Sequence, residues 1–294
     1  MSGSGPTASG STSSWTPSAR QVERLAYRRA QARRSVLIAV VSTVVILGGL
    51  VAGVVSSPGW ERTRDTFFNW GVARDSFGDV LRGFWINVEV FTVSAVCMLT
   101  FGLLLALART LKGPVFTPLR IVATVYVDVF RGLPLILVLL LVGFGVPGLR
   151  LQGVTNNPTV LGGLALVLTY SAYCSEVFRA GIESVHPSQR AAARSLGLSS
   201  SATMRFVVLP QAVRNVVPPL LNDIVALTKD SGLISILGAA IDSVRAAQIA
   251  TAETYNFTPY VVAGVLFLAL TIPLTRFTDA YSKRRGFLPM GGHL

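Results

Sequence analysis

The stretch SQRAAARSLGLSSSATMRFVVLP, residues 188–210, lies between apolar runs and carries Arg190, Arg194 and Arg205 with no carboxylate. Pro187, just before it, suits the first turn of a helix. Ala191, Ala192 and Ala193 are strong helix formers, and Arg190 and Arg194 stand on one face at i,i+4. Gly197 supplies the left-handed residue that ends such a helix. Ser199 caps the next one, whose first amides otherwise lack acceptors. The pattern predicts a short helix, a sharp turn and a second helix entering the membrane near Pro210. Small side chains let another protein approach the backbone closely. An ordinary loop between spans is the plainer reading of the same residues.

The composition around it points to a bilayer. The chain has 294 residues, 51% hydrophobic and 14% charged, with mean hydropathy +0.57. The formal charge of +12 raises the question of nucleic acid. The basic residues, however, fall at the ends of apolar runs, where membrane topology accounts for them, so no nucleic-acid partner is expected. Cys97 and Cys174 lie inside apolar runs and read as two buried free thiols. His186 and His293 are isolated and no metal-ligand spacing occurs, so no metal is expected. No G-x-x-x-x-G-K-[ST] loop is present, so the chain is not expected to hydrolyse ATP.

Six spans emerge from the hydropathy. Residues 1–34 read as a disordered basic tail, Ser-, Gly- and Pro-rich at first and then with six Arg against one Glu. Residues 35–57 hold the first span, an uncharged run long enough to cross about 30 Å of hydrocarbon. An extracytoplasmic connection, 58–82, follows. The remaining spans are predicted at 83–108, 119–144, 160–179, 211–228 and 259–274. Connections rich in basic residues alternate with poorer ones: Arg109, Lys112 and Arg120 mark one turn, the quoted stretch another, and 283–294 a basic tail. This alternation predicts cytoplasmic termini and a cytoplasmic position for the quoted stretch.

The same stretch resembles the cytoplasmic loop of ABC-importer permeases, in which E-A-A, three residues, Gly, nine residues and I-x-L-P follow in order. Here Ala191-Ala192-Ala193, Gly197 and Val207-Val208-Leu209-Pro210 keep that spacing, with Ala191 in place of the acid. GLLLALART, YVDVFRGLPLILVLL, YCSEVFRAGIESV and LPQAVRNVVPPLLNDIVALTKDSGLISILG are similar to the polar amino acid uptake branch. The resemblance implies an all-α, five-span permease core at 83–282, preceded by one extra span. Its coupling helix, 187–197, would dock on a separate ATPase through Arg190, Ala191, Ala192, Ala193, Arg194 and Gly197. It further implies ATP and Mg on that ATPase dimer, none on this chain, together with an extracytoplasmic solute-binding protein and a second permease subunit. Polar or acidic amino acids such as glutamate are the implied substrates.

Charges at bilayer depth cost roughly 2.5–3.5 kcal/mol each and need partners or water. Asp128 with Arg131, and Glu176 with Arg179, are spaced to pair on one helix face. Asn222 and Asp223 follow Pro218 and Pro219 inside a predicted span, and prolines there often mark a helix that lines a cavity. By the resemblance, Asp223 accepts an amino acid's ammonium and Asn222 bonds its carboxylate. A hydrogen bond between helices is the plainer role. Tyr173 and Glu176 join them as candidate substrate contacts. Glu89 has no ready account. A secondary transporter or ion channel using intramembrane acids is the alternative reading. A membrane enzyme would need a cluster of reactive groups that the sequence does not display.

Overall fold

The computed structural model describes residues 18–111, 113–238 and 240–284. Residues 1–17, Lys112, Ala239, and the 285–294 part of the C-terminal tail with His293 lie outside them. The chain divides into two units, 1–62 and 63–294. In the first, α1 (Ala19–Val55) runs unbroken for 37 residues. The basic stretch 19–34 is therefore helical, a correction to the expected disordered tail. Arg, Ala, Gln and Leu are good helix formers, and the stretch continues into an apolar helix that propagates it. Arg34–Val55 is long and apolar enough to cross a membrane.

The second unit begins within α2 (Trp60–Phe67). Asn69 then starts α3 (Trp70–Thr110), its side chain accepting from the Val72 amide at 3.2 Å. α3 extends 13 residues upstream of the expected span, because no proline lies between Trp70 and Gly83 and the helix runs through Gly71 and Gly78. α4 (Thr117–Gly132) and α5 (Leu135–Leu140) meet at a bend of 108°. Leu133 precedes Pro134 and is extended, φ −89° and ψ 136°, as the proline ring requires of the residue before it. The expected span at 119–144 is thus a broken one. After α5, a wide π turn, Leu141–Gly145, leads into α6 (Val146–Gly148).

α7 (Pro158–Glu183) covers the expected fourth span and is followed by the short α8 (Pro187–Ser195) and α9 (Ser200–Thr203). A second π turn, Met204–Val208, enters α10 (Leu209–Asp230), which holds Pro218 and Pro219 without breaking. A 3₁₀ stretch, Ser231–Leu237, stops at Gly238, φ 74°. α11 (Ser243–Thr254) and α12 (Thr258–Arg284) complete the described residues. Besides Arg34–Val55, three helical stretches have span-like length and hydropathy: Trp60–Thr110, Pro158–Glu183 and Thr258–Arg284. The bent α4–α5 region makes a fifth candidate. α10, predicted as a span, is too polar for that test, since it carries Gln211, Arg214, Asn215, Asn222, Asp223, Lys229 and Asp230.

The core of the second unit joins α3, α5, α7, α10 and the 3₁₀ stretch through Met98, Leu139, Leu166, Leu227 and Ile234, all fully buried. α3 and α7 touch at Gly102, where an added Cβ would meet the Cys174 Cβ at 2.6 Å and the Ser171 carbonyl at 3.0 Å. Close approach through small residues is how helices associate where lipid removes the hydrophobic drive. Cys174 is buried at this contact, whereas Cys97 faces outward from α3, contrary to the expected buried pair.

Candidate functional site

Local chemistry builds α8 as the sequence implied. Pro187 occupies its first turn, and the His186 side chain caps it, Nδ1 accepting from the Ser188 amide at 3.2 Å. Gly197 adopts φ 84° and ends the turn; Ser199 Oγ accepts from the Ala202 amide at 3.2 Å and starts α9. The two arginines face different tasks. Arg190 Nη2 donates to the Ile182 carbonyl at 2.7 Å, where it satisfies a C-terminal carbonyl of α7. Arg194 Nη1 donates to Ser200 Oγ at 2.6 Å. Ala193 is buried, while Ala191, Ala192 and Leu196 are exposed, Leu196 by 84%. The surface open to another protein therefore mixes the small Ala191 and Ala192 and the apolar Leu196 with the polar Gln189, Arg194 and Ser195.

α8 is also tied to α10. Gln211 Nε2 donates to Gln189 Oε1 at 2.5 Å and to the Val207 carbonyl at 2.8 Å. One turn on, Asn215 Nδ2 donates to Ser184 Oγ at the end of α7, 2.7 Å away. The π turn before α10 widens the backbone where the chain re-enters the helical bundle, a device common near functional sites.

Asp223 lies on the part of α10 that packs against α7. Its Oδ2 is buried and hydrogen-bonded to nothing among the described residues. Tyr170 donates its hydroxyl proton to Asp230 Oδ2 at 2.7 Å, and its ring stands 6.1 Å from that of half-exposed Tyr173. Asn222, next to Asp223, is exposed.

Glu176 sits in a different constellation. Its carboxylate takes Arg109 of α3 at 2.9 Å, Arg179 of its own helix, and Arg131 of α4 at 3.7 Å; Arg179 also holds Glu183 at 2.5 Å. The expected Glu176–Arg179 pair forms. The expected Asp128–Arg131 pair does not, because Asp128 points outward and the Arg131 guanidinium turns to Glu176. Sequence reasoning missed Arg109, which it read as a topology marker only.

It also missed Asn87 of α3, 1% exposed, which uses its whole amide. Nδ2 donates to the Ser231 carbonyl at 3.0 Å and Asp242 Oδ2 at 3.1 Å, while Oδ1 accepts from Ser243 N at 3.0 Å and Ser243 Oγ at 2.7 Å. Asp242, fully buried, caps α11 by accepting from the Arg245 amide at 3.0 Å. Burial raises its carboxyl above the usual range, and the hydrogen bonds from Asn87 and the α11 amides oppose that shift.

Residues 98–286 match the family described as the binding-protein-dependent transport system inner membrane component. The arginine transport system permease protein ArtQ of Bacillus subtilis is 35% identical over 70% of this chain and 91% of its own length. The glutamate transport system permease protein GluC of Corynebacterium glutamicum is 35% identical over 70% and 93%. Among solved structures, an amino acid ABC transporter crystallised with histidines matches with TM-score 0.64 and 31% identity, over 70% of this chain and 94% of that one. The MetNI methionine ABC transporter, at 20% identity and TM-score 0.54 over 70% and 95%, shares the fold. The apolar helices and these matches together make this a multi-pass membrane protein, and the chain belongs to the amino acid branch of the ABC-importer permeases, transport subunits whose ATPase is a separate polypeptide.

Proposed function

We propose that this chain forms the translocation path of an ATP-driven importer of polar amino acids, with Asp223 as the anchor for the substrate's ammonium group. The observation that carries this reading is the buried Asp223 oxygen on α10, which has no hydrogen-bond partner among the described residues. A buried acceptor left open costs about 1–3 kcal/mol, which a substrate cation offsets on binding. Asn222 and Tyr173 complete the contacts, to the substrate's carboxylate and side chain. Glu176, occupied by three guanidiniums, orders the helices around that path. Arginine, glutamine and glutamate, named in the relatives, are the first substrates to test, glutamate foremost.

In this reading α8 docks on one subunit of an ATPase dimer that holds ATP and Mg, through Ala191, Ala192 and Leu196. Arg190, Arg194, Ala193 and Gly197 hold the helix in shape. A second permease subunit completes the path, an external solute-binding protein delivers the substrate, and both termini face the cytoplasm. Each partner shifts the inward–outward equilibrium only by its different affinity for the two states. The test is uptake of a radiolabelled amino-acid panel by the whole reconstituted complex. A stoichiometric complex whose ATP turnover rises with loaded binding protein supports the reading; uptake unaffected by loss of the ATPase refutes it.

A further inference from the structure

A groove of about 600 Å³ runs along one end of α12, between that helix and the α2–α3 corner. Its walls are Phe67, Phe68, Trp70 and Phe77 on one side and Val261 and Val265 on the other. The corner is fastened in place. The Asn69 amide donates to Thr258 Oγ1 at 3.0 Å, the Phe257 amide to the Thr66 carbonyl at 2.8 Å, and Asn256 Nδ2 to the Asp65 carbonyl at 2.6 Å. Phe67 stacks on Phe257, centroids 5.4 Å apart. The groove is thus a built feature, and its volume falls inside the range of about 300–1,000 Å³ typical of small-molecule sites.

Its chemistry is divided. Asn69 and Thr258, the polar residues on its wall, already bond each other and their neighbours: Asn69 Oδ1 accepts from the Val72 amide, and the Thr258 amide donates to Asn256 Oδ1 at 2.9 Å. Arg74 is the one charged lining residue. It is exposed and makes no salt bridge among the described residues, whereas the nearby Arg64 and Arg82 pair with Asp65 and Asp79. An occupant must therefore bring apolar bulk to the floor and an anion to the lip. Thr258 opens a membrane-crossing helix, so the lip lies at the depth where head groups meet hydrocarbon and exposed aromatic residues collect. The wall at 67–77 precedes the family-matched region 98–286, and the other wall, on α12, lies within it.

We propose that the groove holds one anionic phospholipid of the surrounding bilayer, an acyl chain between the α3 and α12 walls and its phosphate on Arg74. The site is independent of the substrate reading above and requires only that α12 cross the membrane. The test uses the full chain in its transporter complex, purified in mild detergent, with bound lipid counted by native mass spectrometry after exchange with phosphatidylglycerol or phosphatidylcholine. The wild-type complex is expected to retain phosphatidylglycerol preferentially, by roughly tenfold for one charge-assisted contact. Ala73→Trp fills the groove and should abolish the extra bound lipid. Arg74→Gln should leave a bound lipid but erase the preference. Helical circular dichroism and complex stoichiometry serve as controls for folding in both variants. Equal retention of the two lipids by wild type, or phosphatidylglycerol retained by Ala73→Trp as in wild type, overturns the proposal. So does a disulfide-linked dimer formed by the Phe77→Cys variant, which would show a second copy of the chain in the groove.

Discussion

Asp223→Asn keeps the shape of the side chain and removes its charge. Losing one charge-assisted hydrogen bond of about 1.5–3 kcal/mol lowers substrate capture roughly ten- to hundred-fold. Uptake assays should show that loss while the complex still assembles; undiminished uptake removes Asp223 from the site. Glu176→Gln should act differently. It strands Arg109 and Arg131 and leaves Arg179 only Glu183, so stability falls, by less than the roughly 3–5 kcal/mol of a fully buried pair because Arg131 is 41% exposed. A thermal melt should drop, with part of the loss recovered when Arg109 is also replaced by Gln. At this scale the sequence was readable wherever the partner is near in the chain. Gly197, Ser199 and the Glu176–Arg179 pair follow from spacings of a few residues. Arg109 lies 67 residues from Glu176, and Asn87 lies 155 from Asp242, so only the packed helices bring them together.

Helices carry their own constraints. Gly102→Ala forces a methyl onto Cys174 and the Ser171 carbonyl, and overpacking of this kind costs about 1–3 kcal/mol. The α3–α7 contact should loosen, visible as faster hydrogen exchange along both helices; unchanged exchange would contradict so tight an approach. On α8, Ala191→Trp should reduce the binding-protein stimulation of ATP turnover several-fold without altering basal membrane insertion, since the site is exposed and only a docked partner meets the added ring. Hydropathy located most helices yet passed over two features. It read 119–144 as one span because Pro134 is flanked by apolar residues on both sides, and averaging hides a break. It also read 211–228 as a span, although α10 with Arg214, Asp223, Lys229 and Asp230 is polar enough to fail on composition.

Taken as a whole, the second unit carries its own core. Every hydrophobic cluster among the described residues draws its buried members from between Val80 and Ala263. Removing residues 1–57 should therefore leave a chain that inserts, binds the ATPase and transports at near wild-type rate, checked by uptake normalised to membrane protein. Loss of assembly would assign α1 a structural duty that these clusters do not reveal. Residue patterns on a family scale made the architecture legible from 83 onward, whereas the α2–α3 corner, built from residues before that point, came from the fold alone.

Two fastenings of α8 and one tie between α7 and α10 bear on how force moves through the molecule. Arg190 grips the end of α7, Gln189 is bonded to Gln211 of α10, and Asn215 of α10 reaches back to Ser184. A push of even an ångström or two on α8 is shared by both rods at once. One rod bears Glu176 and Tyr173, the other Asn222 and Asp223, so under the function proposed above the groups around a cargo would shift in step instead of shearing apart.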